Sequence, residues 1–220
     1  MPRTIVYVDG FNLYYRAVKG TPHKWLNIVA LCQKSLPATS QIAIVNYYTA
    51  HVSGRLDPTS PVRQQAYLRA LAMDPAIRIH HGNFLTHAKW AGLAPPIPSL
   101  KPTPHTLNVI PAPVVAYVWK TEEKGSDVKL AAHLVRDAFR GNFEEAAVLT
   151  NDTDLCEPIR IVTQEIGLPV TLLTPVNQPH TSLTAVASTT RHIKPYLSAS
   201  QFPDPVIGPR ARPIRKPLTW

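Results

Sequence analysis

A short apolar run followed by two acids is the feature that most restricts how this chain can fold. Residues 146–149 are apolar throughout and lead to Asp152 and Asp154. Such a run is typical of a strand buried on both faces, as in a parallel sheet. In open α/β sheets the ligand crevice lies beyond the carboxyl ends of the strands. We therefore expect both acids to face a crevice. The alternative is a polar turn in which Asp154 only caps the next helix.

Other segments repeat the pattern of strand and helix. The β-branched run 4–8 ends at Asp9, and strand-like runs recur at 41–48, 76–84 and 170–173, with helical spacing of apolar residues between them. This alternation predicts a parallel sheet with right-handed crossovers. The expected fold class is therefore α/β, a three-layer sandwich around a central, mostly parallel sheet.

Acidic residues stand at the ends of several of these elements. They are Asp9, Asp127, Asp152 and Asp154, with Glu123 as an additional candidate. Asp127 follows a Gly-Ser pair at the start of a predicted helix, where an acid also has the simpler role of stabilising the first turn. If the sheet is parallel, the carboxylates converge on one edge and require a cation to offset their repulsion. Oxygen ligands of this kind suit Mg²⁺ or Mn²⁺.

A divalent ion held by carboxylates and open to a phosphate is suited to hydrolysing a phosphodiester. A zinc site at His80 and His81 is disfavoured, because adjacent residues of a strand point to opposite faces. Other enzymes with two aspartates at this spacing remain as alternatives, namely a glycosyltransferase or a Toprim-type phosphotransferase. Toprim chemistry, however, requires a glutamate after the first strand, where this chain has Asp9.

Three ordered segments resemble the signature segments of NYN domains, the LabA-like branch of the PIN-like nuclease superfamily. They are VDGFNL at 8–13, EKGSDVKLA at 123–131 and TNDTDL at 150–155. The resemblance extends over residues 3–197. It implies a PIN-like fold, an acidic site for Mg²⁺ or Mn²⁺, and RNA as substrate. It also implies that the catalytic residues are Asp9, Asp127, Asp152, Asp154 and Asn12, of which the four acids bind the metal.

The function predicted from these features is a metal-dependent ribonuclease acting on single-stranded or structured RNA. The alternative is an RNA-binding or regulatory protein of the same fold with little or no catalytic activity. The residues expected to contact substrate are Asn12, Asn151, Lys124, Arg63 and Lys129. Asn151 stands where many NYN domains have glycine, a difference that leaves the acids in place. A homodimer is left open.

The overall charge favours a polyanionic partner. The formal net charge is +9 and the isoelectric point is near 9.7, which makes nucleic acid the first candidate. No apolar run approaches the roughly 18 residues of a membrane span, and no signal-peptide pattern is present. We therefore expect a cytoplasmic protein without a membrane partner.

Proline-rich stretches set the expected domain limits. Residues 1–197 form the predicted NYN/PIN-like domain, 87–118 a Pro-rich insertion or two-stranded flap, and 198–220 a basic, Pro-rich tail. In one interpretation the tail is extended and contacts RNA. In the other it packs on the body through Leu218 and Trp220. The basic tail residues considered for RNA contact are Arg210, Arg212, Arg215 and Lys216.

Overall fold

Strands and helices alternate along most of the chain. A computed structural model describes residues 1–55, 57–92, 115–208 and 212–220. The strands in these ranges are β1 (Arg3–Asp9), β2 (Gln41–Ala50), β3 (Ile77–Gly92), β4 (Val115–Lys124), β5 (Glu145–Leu149), β6 (Val170–Thr174), β7 (Thr189–His192), β8 (Val206–Ile207) and β9 (Pro213–Ile214). The α-helices are α1 (Gly10–Leu13), α2 (Ile28–Ser35), α3 (Ser60–Leu71), α4 (Ser126–Phe139), α5 (Cys156–Arg160) and α6 (Thr181–Val186). Wider π-helical turns, Tyr14–Val18 and Ile161–Glu165, extend α1 and α5. None of the helices in the described ranges combines the length and apolar character needed to cross a bilayer.

Seven of these strands form one sheet, in the order β4-β3-β2-β1-β5-β6-β7. Every neighbouring pair is parallel except β3 and β4. The chain builds the sheet outward in one direction from β1 and then in the other from β5. The border between β1 and β5 is therefore a topological switch point, where such sheets open a ligand crevice. The prediction of an α/β fold with a central, mostly parallel sheet is confirmed.

Helices cover both faces of the sheet. Side chains alternate across a strand, so successive residues of β1 enter different apolar clusters. Val6 packs in the same cluster as Leu31 of α2 and Leu71 of α3. Ile5 packs on the opposite face with Leu134 of α4. Each of these side chains is at most 2% exposed, and burying one such side chain contributes about 1.5–3 kcal/mol. The result is a three-layer arrangement of helix, sheet and helix.

Helix starts follow local signals in the sequence. The side chain of Asn27 accepts a hydrogen bond from the backbone N–H of Ala30 at 3.0 Å and so caps α2. Pro61 lies in the first turn of α3, where a missing N–H costs nothing.

The predicted Pro-rich insertion begins and ends in a β-hairpin. β3 and β4 pair antiparallel from Asn83 opposite Lys124 to Gly92 opposite Val115. Of the insertion predicted at 87–118, residues 93–114 lie outside the described part of the chain. The two ends of the predicted insertion, residues 87–92 and 115–118, thus belong to the two paired strands.

The carboxyl-terminal segment folds back onto the body. The indole Nε1 of Trp25 donates a hydrogen bond to the carbonyl oxygen of Pro203 at 3.0 Å. The ring centroid of Trp220 lies 6.4 Å from that of Trp25 and 5.7 Å from that of Tyr67. Leu218, in contrast, is fully exposed. The structure therefore favours the packing interpretation of the tail, through Trp220 and not through Leu218, while residues 209–211 lie outside the described ranges.

Candidate functional site

The carboxyl ends of β1 and β5 bring two of the signature segments together at the switch point. Val8 and Leu149 are register partners, so Asp9 and Thr150 leave the sheet side by side. The Thr150 hydroxyl donates a hydrogen bond to Oδ2 of Asp9 at 3.2 Å. The hydroxyl oxygen of Thr150 in turn accepts a hydrogen bond from the backbone N–H of Asp152 at 3.0 Å. Thr150 is not among the predicted site residues, although it opens the third signature segment.

Two asparagines position the loops at the carboxyl ends of β1 and β5. We call this site, with Asp9, Thr150 and Asp152, the corner. The backbone N–H of Asn12 donates to Oδ1 of Asp9 at 2.9 Å. The side-chain Oδ1 of Asn12 accepts the N–H of Asn151 at 3.0 Å. Oδ1 of Asn151 in turn accepts the N–H of His180, also at 3.0 Å. Each amide oxygen thus has a backbone partner, and both asparagines position the loops that carry the acids.

The amino terminus of α4 brings the second signature segment, residues 123–131, to the same edge. Gly125, at φ 94°, holds the N-cap position without a capping side chain. Glu123 supplies the side-chain cap that Gly125 lacks. Its Oε1 accepts hydrogen bonds from the backbone N–H of Ser126 at 3.1 Å and from the Ser126 hydroxyl at 2.7 Å. Asp127 lies in the first turn but does not cap the helix.

Two glycines beside the acids allow neighbouring strands and side chains to pack closely against their backbone. A Cβ at Gly10 would lie 2.6 Å from the carbonyl oxygen of Tyr48 and 2.7 Å from the hydroxyl of Tyr47. A Cβ at Gly82 of β3 would collide with the carboxylate of Glu123 and lie 2.7 Å from Oγ of Ser126. Any larger residue at these two positions would displace a strand end or the Glu123 cap.

Two carboxyl groups of the corner, those of Asp9 and Asp127, have raised pKa values. Asp9 is 5% exposed. Burial raises the pKa of its carboxyl to about 7; the Asn12 and Thr150 hydrogen bonds oppose the rise, and the charges of Asp127 and Asp152 add to it. Burial also raises the pKa of Asp127, and the nearby charges of Asp152, Glu123 and Asp154 raise it further. A bound cation would relieve this repulsion.

The donors suit a hard divalent ion, but they are not a closed cage for one. Within the described ranges no three His, Cys, Asp or Glu side chains are grouped so that they could hold a single ion. Mg²⁺ nevertheless keeps several waters and usually takes one or two carboxylates together with substrate phosphates. The acids that fit this role are Asp9, Asp127 and Asp152.

Asp154 has a more peripheral position than the other acids. Its side chain is exposed, and its backbone N–H donates to Oδ1 of Asp152 at 3.1 Å. Asp152, and not Asp154, therefore caps the helical turn that follows β5, so the polar-turn alternative named the wrong acid.

The three predicted basic contacts are each engaged within the protein. Lys124 forms an ion pair with Glu122 at 3.2 Å. Lys129 donates from Nζ to the carbonyl oxygen of His81. Arg63 pairs with Asp57 on the other side of the corner. Contact with substrate would use the N–H donors that these bonds leave free or would replace the internal partner.

A cavity of about 550 Å³ opens beside Gly10, on the side of the corner away from α4. Its aromatic lining includes Phe11, Tyr15, Tyr47, Phe84, Trp119 and Trp220. Its charged lining residues are Lys24, Arg55 and Arg63, and no Asp or Glu of the described ranges joins them. The guanidinium of Arg55 lies 4.1 Å from the ring centroid of Trp119. No signal in the sequence pointed to this cavity, because its walls come from α1, β2, α3, β3, β4 and the last residue.

The fold and the corner together define an α/β protein with a carboxylate-rich site at its switch point. No protein-family model matches the sequence. The chain is 29% identical to 6-hydroxy-3-succinoylpyridine 3-monooxygenase of Pseudomonas putida over an alignment of 244 residues, which covers 99% of this chain and 75% of that protein. It is also similar to the crystal structure of a protein of unknown function from Vibrio parahaemolyticus. That likeness has a TM-score of 0.50 at 14% identity, covers 87% of this chain and 93% of the other, and concerns the fold alone.

Proposed function

We propose that the protein is a divalent-metal-dependent ribonuclease with a PIN-like fold of the NYN, LabA-like branch. The observation that carries the proposal is the buried carboxyl of Asp9, which shares one corner with the charges of Asp127 and Asp152. These acids come from three separate segments of the chain. Repelling acids that are held together at a switch point are typical of a cation site.

One or two of the acids Asp9, Asp127 and Asp152 would hold the ion together with substrate phosphate, with Asp154 at the outer edge. When bound, a divalent cation supplies charge neutralisation at the phosphodiester and activation of a water. The chain's own residues orient the acids: Thr150 and the N–H of Asn12 fix both oxygens of Asp9. The net charge of +9 draws RNA towards the protein.

The proposal is tested with labelled single-stranded RNA, structured RNA and DNA in Mg²⁺, Mn²⁺ or EDTA. RNA cleavage in either metal, its loss in EDTA, and its loss in Asp127→Asn are the expected results. The control is Asp204→Asn, which removes an exposed acid of the tail segment whose Oδ1 accepts the N–H of Lys216. RNA binding without cleavage would support the regulatory alternative instead.

A second candidate is an enzyme acting on a small aromatic compound. It is favoured by the aromatic cavity beside Gly10 and by the relative named for a monooxygenase of 6-hydroxy-3-succinoylpyridine. The exposed Trp119 of the cavity is a fluorescent reporter for such a ligand. Saturable quenching by 6-hydroxy-3-succinoylpyridine that is lost in Trp119→Leu, together with no RNA cleavage, would favour this candidate over the first.

A further inference from the structure

A second cavity, of about 520 Å³, lies at the opposite end of the sheet from the acids. We call it the basic pocket. It is bounded by the amino-terminal halves of β1, β2 and β3 and by the second half of α4. From Asp127 to Arg136, α4 advances by nine residues, which is roughly 14 Å at the rise of an α-helix. The basic pocket is therefore separate from the acidic corner and needs its own explanation.

The pocket has a large excess of positive charge. The guanidinium groups in its lining belong to Arg3, Arg78, Arg136 and Arg140. Asp137 is the one carboxylate that the described residues contribute to the lining. In the part of the chain that the structure describes, the side chains of Arg3, Arg78 and Arg140 form no ion pair.

The charge of Asp137 is already compensated. The carboxylate accepts hydrogen bonds from the Tyr7 hydroxyl at 2.9 Å, from Arg136 Nη2 at 2.8 Å and from Asn142 Nδ2 at 3.1 Å. Burial opposes its ionisation, but these hydrogen bonds hold the pKa of Asp137 below its usual value. Asp137 and Arg136 thus neutralise each other, which leaves three arginines in the lining that no carboxylate of the described residues pairs with.

Two imidazoles complete the wall of the pocket. Nε2 of His80 lies 2.9 Å from Oδ1 of Asn46, and Nδ1 of His133 lies 2.9 Å from the hydroxyl of Tyr48. The two imidazole centroids are 4.8 Å apart. Burial first, and then the charges of His133 and Arg136, lower the pKa of His80 to about 4. An anion in the pocket would offset these neighbouring charges.

We propose that the basic pocket binds a compact ligand carrying at least two phosphate groups, such as pyrophosphate or the phosphate chain of a nucleotide. Guanidinium groups pair with phosphate oxygens through two parallel hydrogen bonds, so three of them match a multiply charged oxyanion. The volume lies in the range of small-molecule sites, and the concave shape suits a compact ligand better than an extended strand. This site is independent of the proposed ribonuclease activity.

The test is calorimetric titration of pyrophosphate into the full-length protein at low ionic strength. EDTA is present so that no divalent metal ion is available to bind pyrophosphate. The pocket variant is R78Q/R140Q. The matched control is R69Q/R160Q, which removes the same charge from α3 and from the exposed ion pairs of Arg160 with Glu157 and Glu165. We expect saturable binding that weakens at least tenfold in the pocket variant and less than twofold in the control.

A site-specific readout comes from the imidazole resonances of His80 and His133. Both should shift during the pyrophosphate titration, in proportion to the calorimetric saturation, and should not shift in R78Q/R140Q. A parallel titration uses an oligoribonucleotide without terminal phosphates, which should leave both resonances in place. The proposal is overturned by non-saturable heats, by equal weakening in the control, or by imidazole shifts with the oligoribonucleotide and none with pyrophosphate.

Discussion

The hydroxyl of Thr150 donates a hydrogen bond to Oδ2 of Asp9 at 3.2 Å, across 141 positions of sequence. Its oxygen also accepts the N–H of Asp152. One small side chain therefore aligns the end of β1 with the loop after β5, and the buried Asp9 carboxyl depends on it for one of its two hydrogen bonds.

Replacing Thr150 with valine tests this dependence. Thr150→Val keeps the side-chain shape but removes the hydroxyl, so a buried carboxyl oxygen and the N–H of Asp152 lose their partner. Leaving such a group unsatisfied costs about 1–3 kcal/mol. We expect a matching fall in the free energy of urea unfolding and at least tenfold slower RNA cleavage, with Thr150→Ser restoring both. Wild-type cleavage by the valine variant would show that the hydroxyl does not position the acids.

Asn12→Ala should have a milder effect on cleavage. The substitution removes the amide oxygen that accepts the N–H of Asn151, but it leaves the backbone hydrogen bond to Asp9 intact. The net contribution of one such bond is about 1 kcal/mol, so steady-state assays should show roughly fivefold slower cleavage. A loss as complete as that of the acid variants would instead place Asn12 in direct contact with substrate or metal.

The raised pKa of Asp9 predicts how the stability of the metal-free protein depends on pH. The folded-state pKa of about 7 exceeds the ordinary value of 3.8. The folded state therefore binds the extra proton, and the free energy of unfolding falls as the pH rises from about 4 to 7. The stabilisation from this group is complete below pH 4 and is lost above pH 7.

Asp9→Asn removes that titration. Urea unfolding in EDTA at pH 4.5, 6 and 8 should show a steeper decline for the wild type than for the variant, by an amount on the order of a few kcal/mol over the range. Parallel pH profiles for the two proteins would contradict the assignment of a raised pKa to Asp9.

The contacts of Trp220 predict that the end of the chain stabilises the body. Trp220→Ala removes ring contacts to Trp25 and Tyr67 at a partly buried position, and we expect a loss of about 1–3 kcal/mol. Leu218→Ala, at a fully exposed neighbour, should change the free energy of unfolding by less than about 0.5 kcal/mol. Thermal melts of both variants decide the matter, and equal melting temperatures for the two would mean that Trp220 adds nothing.

Local patterns were sufficient to predict a central, mostly parallel sheet and most of its strands. The apolar run at 146–149 required burial on both faces, and parallel pairing then placed Asp9 and Asp152 at one edge. The helix start at Ser126 followed from the glycine before it. These features depend on neighbours in sequence, and so periodicity and turn residues reveal them.

Features that depend on distant partners could not be predicted in the same way. The capping of Ser126 by Glu123 is decided by how closely Gly82 of β3 allows the chains to approach. The ring contact between Trp220 and Trp25 joins opposite ends of the chain, and no periodic pattern in the sequence indicates it.

The central claim is that carboxylates at the switch point bind a divalent cation for RNA cleavage. Its most direct measurement is the single-turnover cleavage rate of end-labelled RNA as a function of Mg²⁺ or Mn²⁺ concentration, for wild type, Asp152→Asn and Asp204→Asn. The claim predicts metal-dependent cleavage by wild type and Asp204→Asn. It also predicts at least a hundredfold loss in Asp152→Asn, whose fold by circular dichroism and whose metal-free stability are unchanged or improved, because repulsion is relieved. Cleavage by Asp152→Asn at the wild-type rate and metal dependence would contradict it.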